Sequence, residues 1–268
     1  MASTKREREL ARLRAQRQAE RRAAAAAERR KRRNAVLIGL SCLAVAGVVV
    51  GVAIATGGSD TDDLASDPGA SSSTTPGGCS YSASGTAAKK VTGLPSPTGP
   101  AKKADTKVVL TTNRGEINLT LDGAKAPCTT NSFTFLAGQK YFDATSCHRL
   151  TSQNIFVLQC GDPSATGSGG PGYQFADENL TAFGKPDAKG QVIYPRGTVA
   201  MANGGPGTNG SQFFLVYKDS PLAPSYTPFG TITKGLEILD TVAKGGSLPV
   251  NDGKPKTSVT ITSAKVEG

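Results

Sequence analysis

A glycine-rich loop is the first segment whose residue types and spacing suggest chemistry. Gly205, Gly207 and Gly210 fit the G-x-G-x-x-G spacing of a dinucleotide-binding turn. In such a turn the loop opens a helix whose N-terminus holds a pyrophosphate. Here the loop leads into SQFFLVY (211–217), a run with strand propensity, and the Lys that a P-loop requires is missing. The sequence therefore argues against a phosphate site.

The usual catalytic groups are scarce in this chain. His148 is its one histidine, so a His-based metal cluster is excluded and a Ser-His-Asp triad would have to use that residue. A His in the predicted strand CHRL (147–150) is more often structural. The cysteines lack zinc spacing, and no G-x-S-x-G nucleophile elbow occurs. What stands out is Arg149 among apolar strand residues, with a solvent-reaching Arg as the ordinary alternative.

Apolar periodicity predicts the elements that must position these residues. From about Lys107 the pattern is that of a globular domain of about 160 residues, enough for one core. Helices are predicted in TTNSFTFLAG (129–138), behind Thr caps, and in GLEILDTVAK (235–244). Strands are predicted in KVVLTTN, EINLTLD, CHRL, FVLQCG, GTVAMAN, QFFLVYK, PFGTIT and SVTITSAKV. This pattern favours a mainly β domain, an antiparallel barrel whose ends are covered by helices.

The basic charge of the chain is concentrated at its N-terminus. Residues 1–34 hold 13 of the 31 Lys and Arg but 4 of the 21 Asp and Glu, so the other residues carry a net charge of only +1 out of +10. We therefore expect no nucleic-acid binding by the main domain. Residues 35–55 follow with 21 apolar or small residues and no charge or proline, enough to span a bilayer as a helix.

This charge pattern predicts the topology. Basic residues lie on the cytoplasmic side of a membrane helix, so residues 1–34 form a basic cytoplasmic segment, 35–55 a transmembrane helix, and the rest lies outside the membrane. A cleaved signal peptide is the alternative, because Ala53-Ile54-Ala55 resembles an A-x-A cleavage site. Residues 56–105, rich in Gly, Ser, Thr and Pro, are predicted to be a flexible linker whose last part, from Cys79, lies along the domain surface.

Three segments of the domain resemble the signature segments of cyclophilin-type peptidyl-prolyl isomerases. They are CHRL followed by IFVLQCGDP, GTVAMANGGPGTNGSQFFLV, and YTPFGTI, in the order and approximate spacing of that family. The resemblance covers residues 106–268. It implies a closed antiparallel eight-stranded β-barrel capped by two α-helices. It also implies that the glycine-rich loop shapes a groove for an extended peptide.

The resemblance assigns site residues one by one. Arg149 matches the catalytic arginine, and Gln159 matches the glutamine that positions the catalytic group. The matching substrate-binding residues are Phe156, Val157, Ala202, Asn203, Gln212, Phe214, Leu222 and Tyr226. No metal or cofactor is implied.

The sequence also departs from the family's commonest pattern. Val157 stands where many members have Met, and Tyr226 stands in the place of a groove His. The segment LTSQNI before Phe156 is two residues longer than in the familiar short form, and the chain has no Trp. These departures bear on cyclosporin affinity more than on activity.

The implied function is acceleration of X-Pro isomerisation in proline-containing polypeptides that fold outside the cytoplasmic membrane. Such steps can limit folding. The alternative is a non-catalytic module or chaperone that holds proline-containing segments in the same groove. Arg149 discriminates the two functions, because a module that only binds has no need of a donor aimed at the proline nitrogen.

Four cysteines outside the predicted membrane helix suggest two disulfides, since the domain would face an oxidising space. Three pairings are possible. If 147–150 and 156–160 form a hairpin, Cys147 directly opposite Cys160 is close enough to be bridged, which leaves Cys79 with Cys128. Regular pairing in that register puts Gln159 and Arg149 on opposite faces. A bulge near Gln159 would reconcile them, whereas a one-residue register shift is expected to disallow the bridge.

Overall fold

The computed structural model describes residues 78–98 and 105–267. These residues form a mainly β fold with two helices. The helices are α1 (Pro127–Gly138) and α2 (Leu236–Gly245). The strands are β1 (Tyr81–Ala83), β2 (Thr106–Thr112), β3 (Gly115–Leu121), β4 (Thr145–Ser146), β5 (Arg149–Thr151), β6 (Val157–Cys160), β7 (Tyr173–Phe175), β8 (Val192–Tyr194), β9 (Thr198–Met201), β10 (Phe213–Val216), β11 (Ser220–Leu222), β12 (Pro228–Lys234), β13 (Ser247–Leu248), β14 (Asp252–Pro255) and β15 (Thr260–Val266).

Eleven of these strands form one curled antiparallel sheet, in the order β13-β14-β5-β6-β10-β9-β12-β3-β2-β15-β4. The prediction of a closed eight-stranded barrel was wrong. The second edge of β5 pairs with β14, so it is not available to close the barrel. The chain passes from β4 to β5 through Cys147 and His148, whose amides donate to the carbonyls of Val259 (2.9 Å) and Gln159 (3.0 Å). Among the strands that the structure describes, the terminal strands β13 and β4 each have one partner and do not pair with each other, so the sheet is open. Two small sheets, β1-β7 and β8-β11, lie outside it.

The core lies inside the curl of the sheet. Alternate residues of β2 and β3 point inward, so Val108, Leu110, Ile117, Leu119 and Leu121 are buried. One face of α1 packs inward, because Phe133, Leu136 and Ala137 are buried. Each such large apolar side chain contributes roughly 1.5 to 3 kcal/mol to stability when it is fully buried.

The N-terminus of α1 is capped by a residue distant in sequence. The helix begins at Pro127, two residues before the prediction, and proline suits this first position because it has no N–H to satisfy. The carboxylate of Glu178 accepts hydrogen bonds from the amides of Cys128 (3.0 Å) and Thr129 (2.7 Å). It also accepts one from the Thr129 hydroxyl (2.7 Å). The predicted Thr caps were therefore wrong, since an acidic side chain performs that role.

Residues 78–98 pack along the surface of the domain. A disulfide joins Cys79 to Cys128 in α1, and β1 pairs with β7. The ring of Tyr81 packs edge-on against Tyr173, with 5.6 Å between ring centroids. The end of the predicted linker thus contributes to the surface beside β7.

No helix within 78–98 or 105–267 is long and apolar enough to cross a membrane. The predicted membrane helix at 35–55 lies outside the described residues, as do the basic segment 1–34 and residues 56–77 of the predicted linker.

Candidate active site

One transverse row of side chains crosses four neighbouring strands on the outer face of the sheet. Arg149 of β5 lies opposite Gln159 of β6, Gln159 lies opposite Phe214 of β10, and Phe214 lies opposite Ala200 of β9. Directly opposed residues of antiparallel strands have their side chains on the same face. The register of the sheet therefore brings a cation, an amide and an aromatic ring together.

The two faces of these strands serve different clusters. Val157, Ala200, Phe214 and Val216 belong to an outer apolar cluster that Leu222 and Tyr226 help to cover. Their immediate neighbours, such as Leu158 and Phe213, point into the main core. Strand alternation thus separates the residues of the site from those of the core.

A pocket of about 130 Å³, which we call the small pocket, opens above this row. It is lined by eight of the ten predicted catalytic and substrate-binding residues, and by Ile155, which was not predicted: Arg149, Val157, Gln159, Ala202, Asn203, Phe214, Leu222 and Tyr226. The Phe214 ring meets Tyr226 edge to face at 5.6 Å between centroids. The walls therefore combine apolar and aromatic side chains with three polar ones, and the Arg149 guanidinium lies at the rim.

Phe156 does not line the small pocket. Val157 and Gln159 point outward from β6, so Phe156, one residue before Val157, points the other way. Its ring packs against Tyr217 at 6.0 Å between centroids, and Lys218 Nζ lies 4.5 Å above it. Ile155 takes the corresponding place in the wall.

A chain of hydrogen bonds fixes the polar edge of the small pocket. Arg149 Nη1 donates to Gln159 Oε1 (3.3 Å), and Gln159 Nε2 donates to Gln212 Oε1 (2.8 Å). Gln212 Nε2 then donates to the carbonyls of Gly167 and Gly169, both at 3.0 Å. Each glutamine donates through Nε2 to the next acceptor in this chain, so its Oε1 faces the donor that comes before it. We call this chain the glutamine relay.

The loop whose carbonyls accept the last bonds of the glutamine relay is held in place by a buried carboxylate. Asp162 accepts hydrogen bonds from the amides of Ser164 (2.7 Å), Gly167 (2.8 Å) and Gly169 (3.0 Å). Burial alone would raise the pKa of Asp162, but these bonds and one from the Ser164 hydroxyl lower it. The carboxylate therefore stays charged and holds the loop at 162–170 beside Gln212.

A second cavity of about 450 Å³, the large pocket, adjoins the small one. The two share Gln159, Ala202 and Asn203, and Gln212 lines the large pocket only. Ser84, Gly85 and Thr86, from the segment at 78–98, form part of its wall. The two pockets together make a continuous surface along which an extended chain can lie.

The glycine-rich loop forms a wall between β9 and β10. Gly207 donates its N–H to Asp177 Oδ2 (2.7 Å), so an acidic side chain of the protein already binds this loop. The same carboxylate accepts from Asn209 Nδ2 at 2.9 Å. Gly205 and Gly207 have φ values of 143° and 71°, which favour glycine. The loop lines the large pocket through Gly204, Thr208 and Gly210, and it leads into β10, whereas a phosphate-binding loop would lead into a helix.

Asn203 and Tyr226 are held by backbone contacts on the opposite rim. Asn203 Nδ2 donates to the carbonyl of Ser225 (2.7 Å). Burial raises the pKa of Tyr194 to about 12, so its hydroxyl stays protonated at neutral pH and donates to the carbonyl of Tyr226 (2.7 Å). These bonds fix the segment that carries Tyr226 over Phe214.

Arg149 has an acidic partner that sequence analysis missed. Asp252 of β14 receives hydrogen bonds from Arg149 Nε (2.7 Å) and Nη2 (2.8 Å). These bonds lower the pKa of Asp252 below its usual range and raise the pKa of Arg149. No local pattern links the two residues, because they lie 103 positions apart.

The structure contains both expected disulfides, Cys79–Cys128 and Cys147–Cys160. The register differs from the expectation by one residue. Arg149 faces Gln159, whereas a regular ladder through Cys147 and Cys160 would have placed His148 there. The bridge still forms because Cys147 lies outside β5, where the chain turns toward Val259. The irregularity therefore lies at Cys147 and His148, not at Gln159, and Arg149 and Gln159 share a face.

His148 takes no part in the small pocket. Its imidazole lies near Gly167, and burial lowers its pKa. Neither ring nitrogen has a hydrogen-bond partner among the described residues, so the structural hydrogen bond expected of a strand histidine is not seen.

Comparison with known proteins identifies the family. The model of the family described as cyclophilin type peptidyl-prolyl cis-trans isomerase/CLD matches residues 107–266, more than half of the chain. The chain belongs to this family. The cyclophilin match begins after the segment at 78–98, so Ser84, Gly85 and Thr86 add to the large pocket from outside the matched region.

Two mycobacterial relatives extend the likeness beyond the cyclophilin match. The chain is 53% identical over 174 residues to "Probable peptidyl-prolyl cis-trans isomerase B" of Mycobacterium leprae, covering 63% of this chain and 59% of the relative. It is 52% identical over 197 residues to the protein of the same name from Mycobacterium tuberculosis, covering 70% and 64%. The chain thus spans about three fifths of the length of these relatives.

A solved cyclophilin shares the fold. The cyclophilin type peptidyl-prolyl cis-trans isomerase of Cryptosporidium parvum is 29% identical, with a TM-score of 0.52, and the match covers 62% of this chain and 99% of that one. A second structure of that protein, in the presence of the dipeptide Ala-Pro, is 30% identical with a TM-score of 0.50, and covers 60% and 99%.

Proposed function

We propose that the chain accelerates cis-trans isomerisation of X-Pro bonds, with the proline ring bound in the small pocket. The observation that carries this proposal is the position of the Arg149 guanidinium at the rim of a pocket whose walls include Val157, Phe214 and Leu222. Family membership supports it, as does the Cryptosporidium parvum structure in the presence of Ala-Pro. A proline ring suits such walls because it is apolar and has no N–H to satisfy.

The reaction requires no bond cleavage. Rotation about the X-Pro bond breaks amide resonance and has a barrier of about 18 to 20 kcal/mol. An enzyme lowers this barrier by binding the twisted amide better than either planar form. Val157, Phe214 and Leu222 would hold the ring while the acyl side rotates.

Arg149 supplies the group that distinguishes the twisted amide from the planar ones. When resonance is lost, the proline nitrogen becomes pyramidal and regains its lone pair. A guanidinium N–H aimed at that lone pair stabilises the transition state and not the ground state. The glutamine relay supports this role, because Gln159 holds Nη1 at the edge of the pocket.

The substrates are proposed to be extended proline-containing segments of polypeptides. The large pocket continues from the small one past Ala202 and Asn203, so residues preceding the proline can lie there. The side chains lining both pockets carry one cation, Arg149, which favours recognition by shape and backbone contacts over recognition by charge.

The test is NMR exchange on an Ala-Pro-containing peptide with the full chain. The wild-type chain should accelerate exchange between the cis and trans signals. Arg149→Ala should lower kcat/KM by about 10² to 10³, the range for loss of a preorganised donor. Arg149→Lys should also be poor, because an ammonium does not reproduce the planar fork.

Arg196→Ala is the matched control for this test. Arg196 makes a similar paired contact with Asp240, at 2.7 and 2.8 Å, away from both pockets. It should leave exchange unchanged if the chain stays folded by circular dichroism. Normal turnover in folded Arg149→Ala would refute the mechanism. Peptide binding without any acceleration by the wild-type chain would favour the non-catalytic module instead.

We further propose that residues 35–55 anchor the chain in the cell membrane, with the isomerase domain outside and the N-terminus in the cytoplasm. The apolar run after a strongly basic head supports this proposal. So do two disulfides in the domain, since disulfides persist in oxidising compartments. N-terminal sequencing of the membrane-fraction protein, combined with protease accessibility in intact cells, tests it. A mature N-terminus at Thr56 would show a cleaved signal peptide, and a protected domain would refute the topology.

A further inference from the structure

The carboxylate of Asp252 accepts two hydrogen bonds from one edge of the Arg149 guanidinium. Nε donates to Oδ1 at 2.7 Å and Nη2 donates to Oδ2 at 2.8 Å. This two-point contact matches the planar fork of an arginine and fixes the plane of the guanidinium as well as its distance. One nitrogen, Nη1, is left over, and it donates to Gln159 at the rim of the small pocket.

The backbone around Asp252 is held to the strand that carries Arg149. Asp252 pairs with Thr151 and Gly253 pairs with Leu150, so β14 and β5 form one ladder. Ser152 donates its N–H to the carbonyl of Asn251 at 2.9 Å. A side chain at Gly253 would lie against the backbone of the preceding turn, 2.4 Å from the Leu248 carbonyl, so the hairpin packs closely here.

From this geometry we infer that Asp252 is a positioning residue for the isomerase reaction. It holds the Nε and Nη2 edge of the guanidinium so that Nη1 stays directed at the small pocket. The inference rests on the proposed role of Arg149. It extends that role, since a long flexible arginine side chain is restrained from both sides, by Asp252 and by Gln159.

A stabilising surface ion pair is the competing interpretation. The side chains of Arg149 and Asp252 are 40% and 57% exposed, and pairs so exposed contribute little to stability. The pair Arg196–Asp240 has closely similar contacts, at 2.7 and 2.8 Å, and exposures of 38% and 42%. It lies away from the small pocket, so it provides a comparison pair of similar exposure at a different location.

The experiment measures kcat and KM for an Ala-Pro-containing peptide with the full chain. Asp252→Ala should lower kcat by about tenfold to a hundredfold, because a misplaced catalytic group can cost that much. KM should change by less than about twofold, since the pocket walls stay intact. Asp252→Asn, which keeps the shape but loses the charge and one acceptor, should lie between. Asp240→Ala should match the wild-type chain.

A double-mutant cycle separates positioning from other effects. In the Arg149→Ala background, adding Asp252→Ala should change kcat by less than about twofold, because the group it positions is gone. Activity of Asp252→Ala equal to that of Asp240→Ala would overturn the inference and leave the proposed function intact. A further full-sized loss in the Arg149→Ala background would also overturn it. Normal activity of Arg149→Ala alone would remove the proposed mechanism and this inference together. If Asp252→Ala does not fold, Asp252→Asn decides the same comparisons.

Discussion

The direction of the glutamine relay leads to a prediction about Gln159→Glu. In the structure Gln159 accepts from Arg149 Nη1 at 3.3 Å and donates to Gln212 Oε1 at 2.8 Å. A carboxylate can only accept. It would bind Nη1 more tightly, as a charged acceptor, and would face Gln212 Oε1 with no hydrogen to share.

The expected loss of activity follows from the first of these two changes. A hydrogen bond between charged partners is worth about 1 kcal/mol more than one to a neutral acceptor, and Nη1 would be held away from substrate by that amount. Loss of the bond to Gln212 lowers the stability of the chain and not the barrier, because that bond is missing from the free enzyme and the transition state alike. The tighter hold on Nη1 raises the barrier by about 1 kcal/mol, which corresponds to roughly a fivefold loss in kcat/KM.

NMR exchange is suited to this test because it works over a wide range of pH. The loss requires the charged carboxylate, and the adjacent Arg149 would lower the pKa of the introduced group below the ordinary glutamate value of about 4.3. The loss should therefore be full at pH 7 and shrink only when the pH falls below that value. Gln139→Glu is the control. Gln139 accepts from the amide of Thr92 (2.7 Å) and donates to its carbonyl (3.0 Å), away from both pockets. Wild-type activity of Gln159→Glu at pH 7, or a loss that does not vary with pH, would refute the reasoning.

Three further predictions concern stability, and urea unfolding of the full chain measures each of them. Replacing both Cys147 and Cys160 with Ser should lower the free energy of unfolding by about 3 kcal/mol, because their separation is 13 residues; a loss below about 1 kcal/mol would contradict this. Glu178→Ala should lower the free energy of unfolding by about 2 kcal/mol, because it removes the cap of α1. As a control, Glu237→Ala in the exposed first turn of α2 should lower it by less than about 0.5 kcal/mol. Burial lowers the pKa of His148, so as the pH falls the imidazole is protonated in the unfolded chain before it is protonated in the folded one. The wild-type chain should therefore lose stability between pH 7 and pH 5. His148→Gln should reduce that dependence, and an unchanged slope would count against it.

The long elements of the fold were predictable because each has a repeating pattern. Seven-residue strands such as β2 and β3 alternate buried and outward positions, and α1 has apolar residues at helical spacing. The short strands β4, β13 and β14 lack the apolar run that marks β6 and β10, which have only four residues each, so the sequence does not reveal them. The open edge of the sheet was missed for this reason, since β14 occupies the place beside β5.

The residues of the candidate site likewise divide into those that the sequence predicts and those that it does not. Segment resemblance predicted Arg149 and most of the small-pocket lining, whose positions follow from the register of neighbouring strands. Asp252 and Glu178 were missed because their partners lie 103 and about 50 residues away, and no local pattern links such pairs. The conflict between Gln159 and the disulfide arose from assuming a regular ladder through Cys147, where the chain already leaves β5.

The alternation of site and core residues along β6 and β10 limits how this domain can change in evolution. Substitutions at outward positions such as Val157 can alter the pocket and leave the inward layer at Leu158 and Phe213 in place. Insertion of a single residue within either strand would exchange the two layers, so that pocket residues enter the core and core residues face the substrate. Changes in length are therefore expected only in the turns. The two-residue extension relative to the familiar short form lies between Arg149 and Phe156, a segment that includes the turn at Asn154, where φ is 66°.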